Sequence, residues 1–292
     1  MKLNSVYILV LISTFFWGAN FVLAGSILQD IPPLWAAALR FSFGALIMIA
    51  YASWRGEDLL TAVRRHAGIY LLIGAVGIGG FNLLFFAAMR TATASDAALI
   101  MATNPLLTTL LAAMTLGERP SRRLLISLPL ALIGVIVVIS GGNVTRLLHL
   151  QIVRGDFLML AANIAWALYN VLSRSSMPKL SALTNTTLVM SAGALLLLTT
   201  VLISGEAFVI PGIHAGISLA LMVTGGTIIA YLFWNTGLAN LGAGRTALFM
   251  NLIPVFTMLI VAAMGNLPTL VQLIGGALVI SGVSINMLSR NQ

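Results

Sequence analysis

The sequence predicts an all-α integral membrane protein, with ten transmembrane helices arranged as two inverted five-helix repeats. Three observations carry this. Of the 292 residues, 60% are hydrophobic and only 8% charged, against about 25% charged in a soluble domain. The polar residues are too few to cover a globule in water, so lipid is the solvent for most of the surface. The apolar residues fall in continuous runs of about 20, the length that crosses a hydrocarbon core. The stretch from Phe85 to Pro120 also returns from Trp234 to Pro268. At an offset of 149 positions Ala98, Leu99, Met101, Pro105 and Thr108 meet Ala247, Leu248, Met250, Pro254 and Thr257. A repeat of this length points to two related halves.

Taken in order, the spans are expected at 5–27, 34–54, 68–89, 95–116 and 122–140, then 155–173, 181–204, 214–237, 244–264 and 268–288. The first follows Lys2 and runs to about Ile27, beyond the roughly 7–15 apolar residues of a signal peptide, so it is a retained span. The second follows the loop QDIPP and contains Arg40; the loop RGEDLLTAVRRH precedes the third. Helices are preferred to a barrel because the runs are unbroken and rich in Leu and Ala. The first repeat occupies 1–142, a connecting loop 143–154 and the second repeat 155–292. No loop is long enough to fold as a separate soluble domain.

Lysine and arginine set the orientation. With the N-terminus inside, eleven of them (Lys2, Arg55, Arg64, Arg65, Arg119, Arg122, Arg123, Arg174, Lys179, Arg245 and Arg290) face the cytoplasm and three (Arg90, Arg146 and Arg154) face out. Both termini are then cytoplasmic. Five spans per half is an odd number, so the second half is inverted. Trp17 meets Trp166 at the same 149 offset, and Gly134 meets Gly282 at 148. Inverted repeats recur among secondary transporters, with the substrate site near mid-membrane between them. The net charge of +8 is spread over short loops and makes no phosphate-tracking face, so nucleic acid is excluded as a partner.

Several groups could carry chemistry. Pro105 and Pro254 interrupt their helices and free the carbonyls of Met101 and Met250; these either face the pathway or mark gating kinks. Trp17 with Asn20, and Trp166 with Asn170, each share a helix face. Phe81, Phe85, Tyr231 and Trp234 add aromatic groups. Singly, each of these side chains fits helix packing better than substrate contact; together they predict an apolar, aromatic and methionine-lined cavity. No carboxylate lies in mid-membrane, so the expected movement needs no proton gradient, and Asp96 is the first residue to test if it does. Arg40 is read as snorkelling to the nearer surface, with a substrate carboxylate, Asp30 or Asp96 as the alternative partner. The glycine clusters, including Gly77, Gly79, Gly80, Gly225 and Gly226, are ascribed to close helix packing. Cysteine is absent and the three histidines fall at segment edges, so no metal site or thiol chemistry is expected.

TFFWGANFV in the first span, LMATNPLLTTLLAAMTLGERPS across the fourth and fifth, and LIGGALVISGVSI in the last resemble the EamA-type branch of the drug/metabolite transporter superfamily. Within it the chain looks most like bacterial inner-membrane exporters of aromatic and other neutral amino acids. The resemblance implies a cavity walled by spans 1 to 4 and 6 to 9, and candidate lining residues Trp17, Phe81, Phe85, Met101, Trp166, Tyr231, Trp234 and Met250. It implies a small-molecule substrate, no cofactor, and a monomer or homodimer in the bacterial inner membrane. A drug or other metabolite as cargo is the alternative. An intramembrane enzyme is disfavoured because no His, Asp or Lys stands ready at membrane depth to activate a serine or threonine.

Overall fold

The computed structural model describes residues 3–92, 94–141, 143 and 153–287. Among these the regular structure is helical throughout. The helices are α1 (Leu3–Asp30), α2 (Pro33–Trp54), α3 (Leu59–Ala88), α4 (Ala94–Ala102 and, after a break, Asn104–Leu116), α5 (Arg122–Ser140), α6 (Arg154–Ser175), α7 (Ala182–Ser204), α8 (Ile213–Leu241), α9 (Ala243–Ala263) and α10 (Leu270–Met287). Among the described residues α1 to α9 are long and apolar enough to cross a membrane, and α10 is a shorter apolar helix. Residues 144–152 of the expected connecting loop and the side chain of Asp96 lie outside the described residues.

Capping residues set several of the ends. Ser121 Oγ accepts from Leu124 N and Ser181 Oγ from Thr184 N, closing the first turns of α5 and α7. Asp58 does the same for α3, accepting from Thr61 N at 3.0 Å. The third helix therefore starts nine residues earlier than the apolar run alone suggests, and it kinks at His66, whose φ is −132°. Gly242, at φ +90°, joins α8 directly to α9, a conformation that favours glycine.

The helices pair in a regular scheme. α1 packs on α8 and α9, and α6 packs on α3 and α4; α2 packs on α7, α4 on α9 and α5 on α10. Replacing each helix by the one five places along leaves this scheme unchanged. The α5–α10 seam is close because glycines line it. A Cβ on Gly134 would fall 2.7 Å from the Gly275 carbonyl, and one on Gly282 would fall 2.9 Å from Ala131 N. Small residues of this kind let membrane helices approach backbone to backbone.

Among the described residues four helices are interrupted. α4 breaks at Thr103 and α9 narrows to a 3-10 turn over Phe249–Leu252, each just before its proline. α3 and α8 widen to π-helical turns over Ala75–Gly80 and Met222–Ile229. The two wide turns are equivalent across the repeat, since Gly77 and Gly226 are 149 apart. Each is wedged from a repeat-equivalent position: a Cβ on Gly77 would lie 2.0 Å from the Tyr169 ring, and one on Gly226 would lie 2.0 Å from the Asn20 amide. The glycines thus have a sharper role than general close packing, because only a hydrogen fits under these two side chains.

Candidate functional site

A cavity of about 1350 Å³ lies at the centre of the bundle. Its wall includes Trp17, Asn20, Phe81, Phe85, Met101, Trp166, Tyr231, Met250 and Pro254. Rings organise its floor. Trp17 meets Trp166 edge-on at 5.5 Å between centroids and Tyr231 at 5.7 Å, while Phe81 lies 5.3 Å from Trp166. Trp17 donates to the Gly226 carbonyl at 3.0 Å and Trp166 to Met250 Sδ at 3.0 Å. Hydrogen bonds therefore orient both repeat-related tryptophans with their rings against the cavity.

Three of the sequence-selected residues lie behind the wall. Asn170 and Trp234 are fully buried and bond each other, with Trp234 Nε1 donating to Asn170 Oδ1 at 2.9 Å. Asn170 also donates to Thr108 at 3.3 Å. Pro105 is buried in the same layer, where its carbonyl accepts from Thr109 Oγ1. The sequence reading missed the residues that complete this layer. Asn104 donates to Asn163 Oδ1 at 2.7 Å, and Asn163 donates to the Ile100 carbonyl at 2.7 Å. The polar break in α4 is therefore satisfied by α6 rather than presented to the cavity. In α9 the Met250 carbonyl accepts from Ile253 N in the 3-10 turn, so it is not left free as the proline alone suggests.

Arg40 also departs from expectation. Instead of snorkelling outward it turns into the bundle. Nε donates to Thr227 Oγ1 at 2.6 Å and Nη2 to the Gly226 carbonyl at 2.9 Å. With its amide oriented to satisfy both neighbours, Asn20 accepts from Nη2 at 3.1 Å and donates to the Phe16 carbonyl. The shared acceptor, the Gly226 carbonyl, lies inside the wide turn of α8 and also receives Trp17 Nε1. Asn251, 2% exposed on the cavity wall, carries an Oδ1 with no hydrogen-bond partner among the described residues.

The mouth of the cavity is lined by Leu28 of α1, Pro33 of α2 and Gln272 of α10, with Glu206 from the α7–α8 turn and Asn266 from the α9–α10 turn. All these lie near the α1–α2, α7–α8 and α9–α10 turns, at one end of the bundle. The opposite end is tied shut. Arg174 pairs with Glu118 at 3.0 Å and donates to the Ala239 carbonyl at 2.6 Å, while Ala243 N donates to Glu118. These contacts join the α4–α5 turn, α6 and the α8–α9 junction. Close by, Thr184 donates to Glu57 and Tyr70 to Asn185 at 2.8 Å, holding the α2–α3 turn and α3 to α7. The hydrogen bond from Thr184 is the main cause that keeps the Glu57 carboxyl below its ordinary pKa.

A cavity of this shape, in a chain of helical pairs related five apart, agrees with the comparisons. The EamA-like transporter family matches twice, over residues 4–140 and 153–288. An uncharacterized transporter of Bacillus subtilis, YyaM, is 35% identical over 97% of this chain and 93% of its own length. A probable amino-acid metabolite efflux pump of Escherichia coli is 27% identical over 96% of this chain and 94% of its length. One crystal structure superposes with a TM-score of 0.83 at 21% identity, covering 98% of this chain and 97% of the other, and so shares the fold. With two copies of the family's domain spanning its length, this multi-pass membrane protein belongs to the EamA-like transporter family.

Proposed function

We propose that the protein exports small, neutral, partly apolar metabolites, aromatic and other neutral amino acids foremost, by alternating access through the central cavity. The observation that carries this is the cavity itself, which is large, ring-lined, open at one end and tied shut at the other. Its volume of about 1350 Å³ exceeds the 300–1,000 Å³ typical of small-molecule sites and leaves room for water beside an amino acid. The cargo reading draws on the mixture of ring faces with a few polar groups, and on the relatives named as amino-acid metabolite efflux pumps.

On this reading the ten helices all span, and the halves are inverted across the membrane with both termini cytoplasmic. The charge bias supports the orientation, and the exchange of helix pairs five apart supports the repeat. The open mouth is then the outer one, and the contacts around Glu118 and Arg174 form the inner seal. Alternating access exchanges that seal for closure around the mouth, so that cargo is never offered a continuous pore.

Counterflow in proteoliposomes tests the reading. Vesicles preloaded with unlabelled phenylalanine should accumulate labelled phenylalanine transiently without an imposed pH gradient. Accumulation no faster than in protein-free vesicles, across a panel of neutral amino acids, refutes the cargo. A strict requirement for a pH gradient refutes the uncoupled exchange and directs attention to Asp96.

A further inference from the structure

We propose that Arg40 is the anchor for the cargo's carboxylate, which makes the wide turn of α8 the polar end of the binding site. This rests on the proposed export of amino acids and names the group by which they are held. The guanidinium is positioned by neutral acceptors alone: Thr227 Oγ1, the Gly226 carbonyl and the Asn20 amide. Among the described residues no carboxylate pairs with it. Asp30 is engaged elsewhere, accepting from Gly212 N at 2.9 Å. The other charged residues described on the cavity wall are Arg90 and Glu206, both close to the turns at the open mouth.

A cation inside a membrane bundle is costly without a counter-charge. Here the acceptors hold two arms of the fork, Nε and Nη2, and leave Nη1 with no acceptor among the described residues. Arg40 lines the cavity, so the unfilled arm belongs to a group that can be reached by cargo. A carboxylate can accept from Nη1 in a charge-assisted hydrogen bond and supplies the missing charge. The surroundings suit the rest of an aromatic or aliphatic amino acid. Arg40 lies over the Phe41 ring at 5.0 Å, Phe41 meets Tyr231 at 5.7 Å and Tyr231 meets Trp17 at 5.7 Å. The repeat makes the assignment sharper. The counterparts of Asn20 and Arg40 at the α3 turn are Tyr169 and Val189, so this cationic site exists once, on one side of the pseudo-symmetric cavity.

The test is tryptophan-fluorescence titration of the purified chain with two probe pairs, phenylalanine against phenylalaninamide and 3-phenylpropanoate against 3-phenylpropanamide. Wild type should bind each carboxylate more tightly than its amide by at least roughly tenfold, the scale of one charge-assisted contact. Arg40→Gln should erase that preference, bringing carboxylate and amide affinities together. Arg40→Lys should retain part of it. Asn20→Asp, which leaves Arg40 in place but gives it a permanent partner, should erase it as well. No carboxylate preference in wild type, or a preference that survives Arg40→Gln, overturns the assignment. A carboxylate preference without phenylalanine counterflow would spare the anchor and sink the export reading. Counterflow without the preference would do the reverse.

Discussion

The wide turns of α3 and α8 are the same device put to two uses. Both occupy equivalent positions in the repeat, both depend on glycine, and both are wedged from a helix of the other half. At α3 the wedge is the ring of Tyr169, fully buried, whose hydroxyl donates to Asn235 at 2.8 Å. The turn there is a packing joint. At α8 the wedge is the Asn20 amide, and the turn's carbonyl receives Trp17 and Arg40 at the cavity wall. A duplicated fold supplies two copies of every joint. Changing the residues that touch one copy turns it into a binding feature and leaves the other to hold the bundle.

The largest expected effects come from filling the two glycines. In Gly77→Ala the new methyl meets a buried ring that cannot withdraw, and overpacking of this kind costs about 1–3 kcal/mol. The detergent-solubilised variant should melt well below wild type. In Gly226→Ala the methyl meets a partly exposed amide that can rotate toward the cavity. That variant should lose less stability but bind phenylalanine poorly, because Asn20 no longer positions Arg40. Equal melting losses with equal binding losses would erase the distinction between the turns.

The two prolines sharpen the comparison on a second repeat-related pair. Both stand in the first turn of the half-helix that follows a break. Proline is well tolerated there, so replacement by alanine should gain far less than the ~3 kcal/mol of a mid-helix site. Pro254 lines the cavity and Pro105 does not. Pro254→Ala should therefore slow counterflow several-fold more than Pro105→Ala, with little change in melting temperature for either. Wild-type flux in both would reduce the prolines to kinks.

The smallest effect concerns the glutamates at the two ends, Glu57 and Glu206, which are equivalent at the 149 offset. Glu57 accepts from Thr184 through its carboxylate, whereas Glu206 accepts from Trp35 through its backbone carbonyl. Only the former contact titrates. The Glu57 pKa is lowered in the folded state, so its contribution is present above the ordinary value of 4.5 and is lost as pH falls through the lowered value. Glu57→Gln should flatten a slight drop in melting temperature on acidification below about 4.5. A half-buried contact at the end of the bundle, screened by solvent, will show no more than that.

Much of the architecture was legible because it is written in short-range signals. Apolar runs gave the helices, and the registered Trp17–Trp166 and Pro105–Pro254 pairs gave the repeat. The cavity wall was legible in part, since its rings lie on one face of α1, α3 and α6. What stayed hidden depends on partners remote in sequence. Whether Asn170 faces cargo or Trp234, and whether Arg40 runs outward or inward, is decided by α8, some 60 and 190 residues away. The seal at Glu118 was hidden for the same reason: a charge in a loop reads as a topology signal until its partner is located. The wide turns were signalled by glycine pairs, but glycine equally serves close packing, and composition cannot separate the two.

Passage of cargo through the ring-lined cavity can be measured directly, because the sequence contains no cysteine. Ala98 lines the cavity wall beside Met101. In a single-cysteine Ala98→Cys protein, a bulky membrane-impermeant maleimide should react from the open side, phenylalanine should slow that reaction, and the labelled protein should lose counterflow. Full labelling that leaves counterflow intact would exclude this cavity as the path of the cargo.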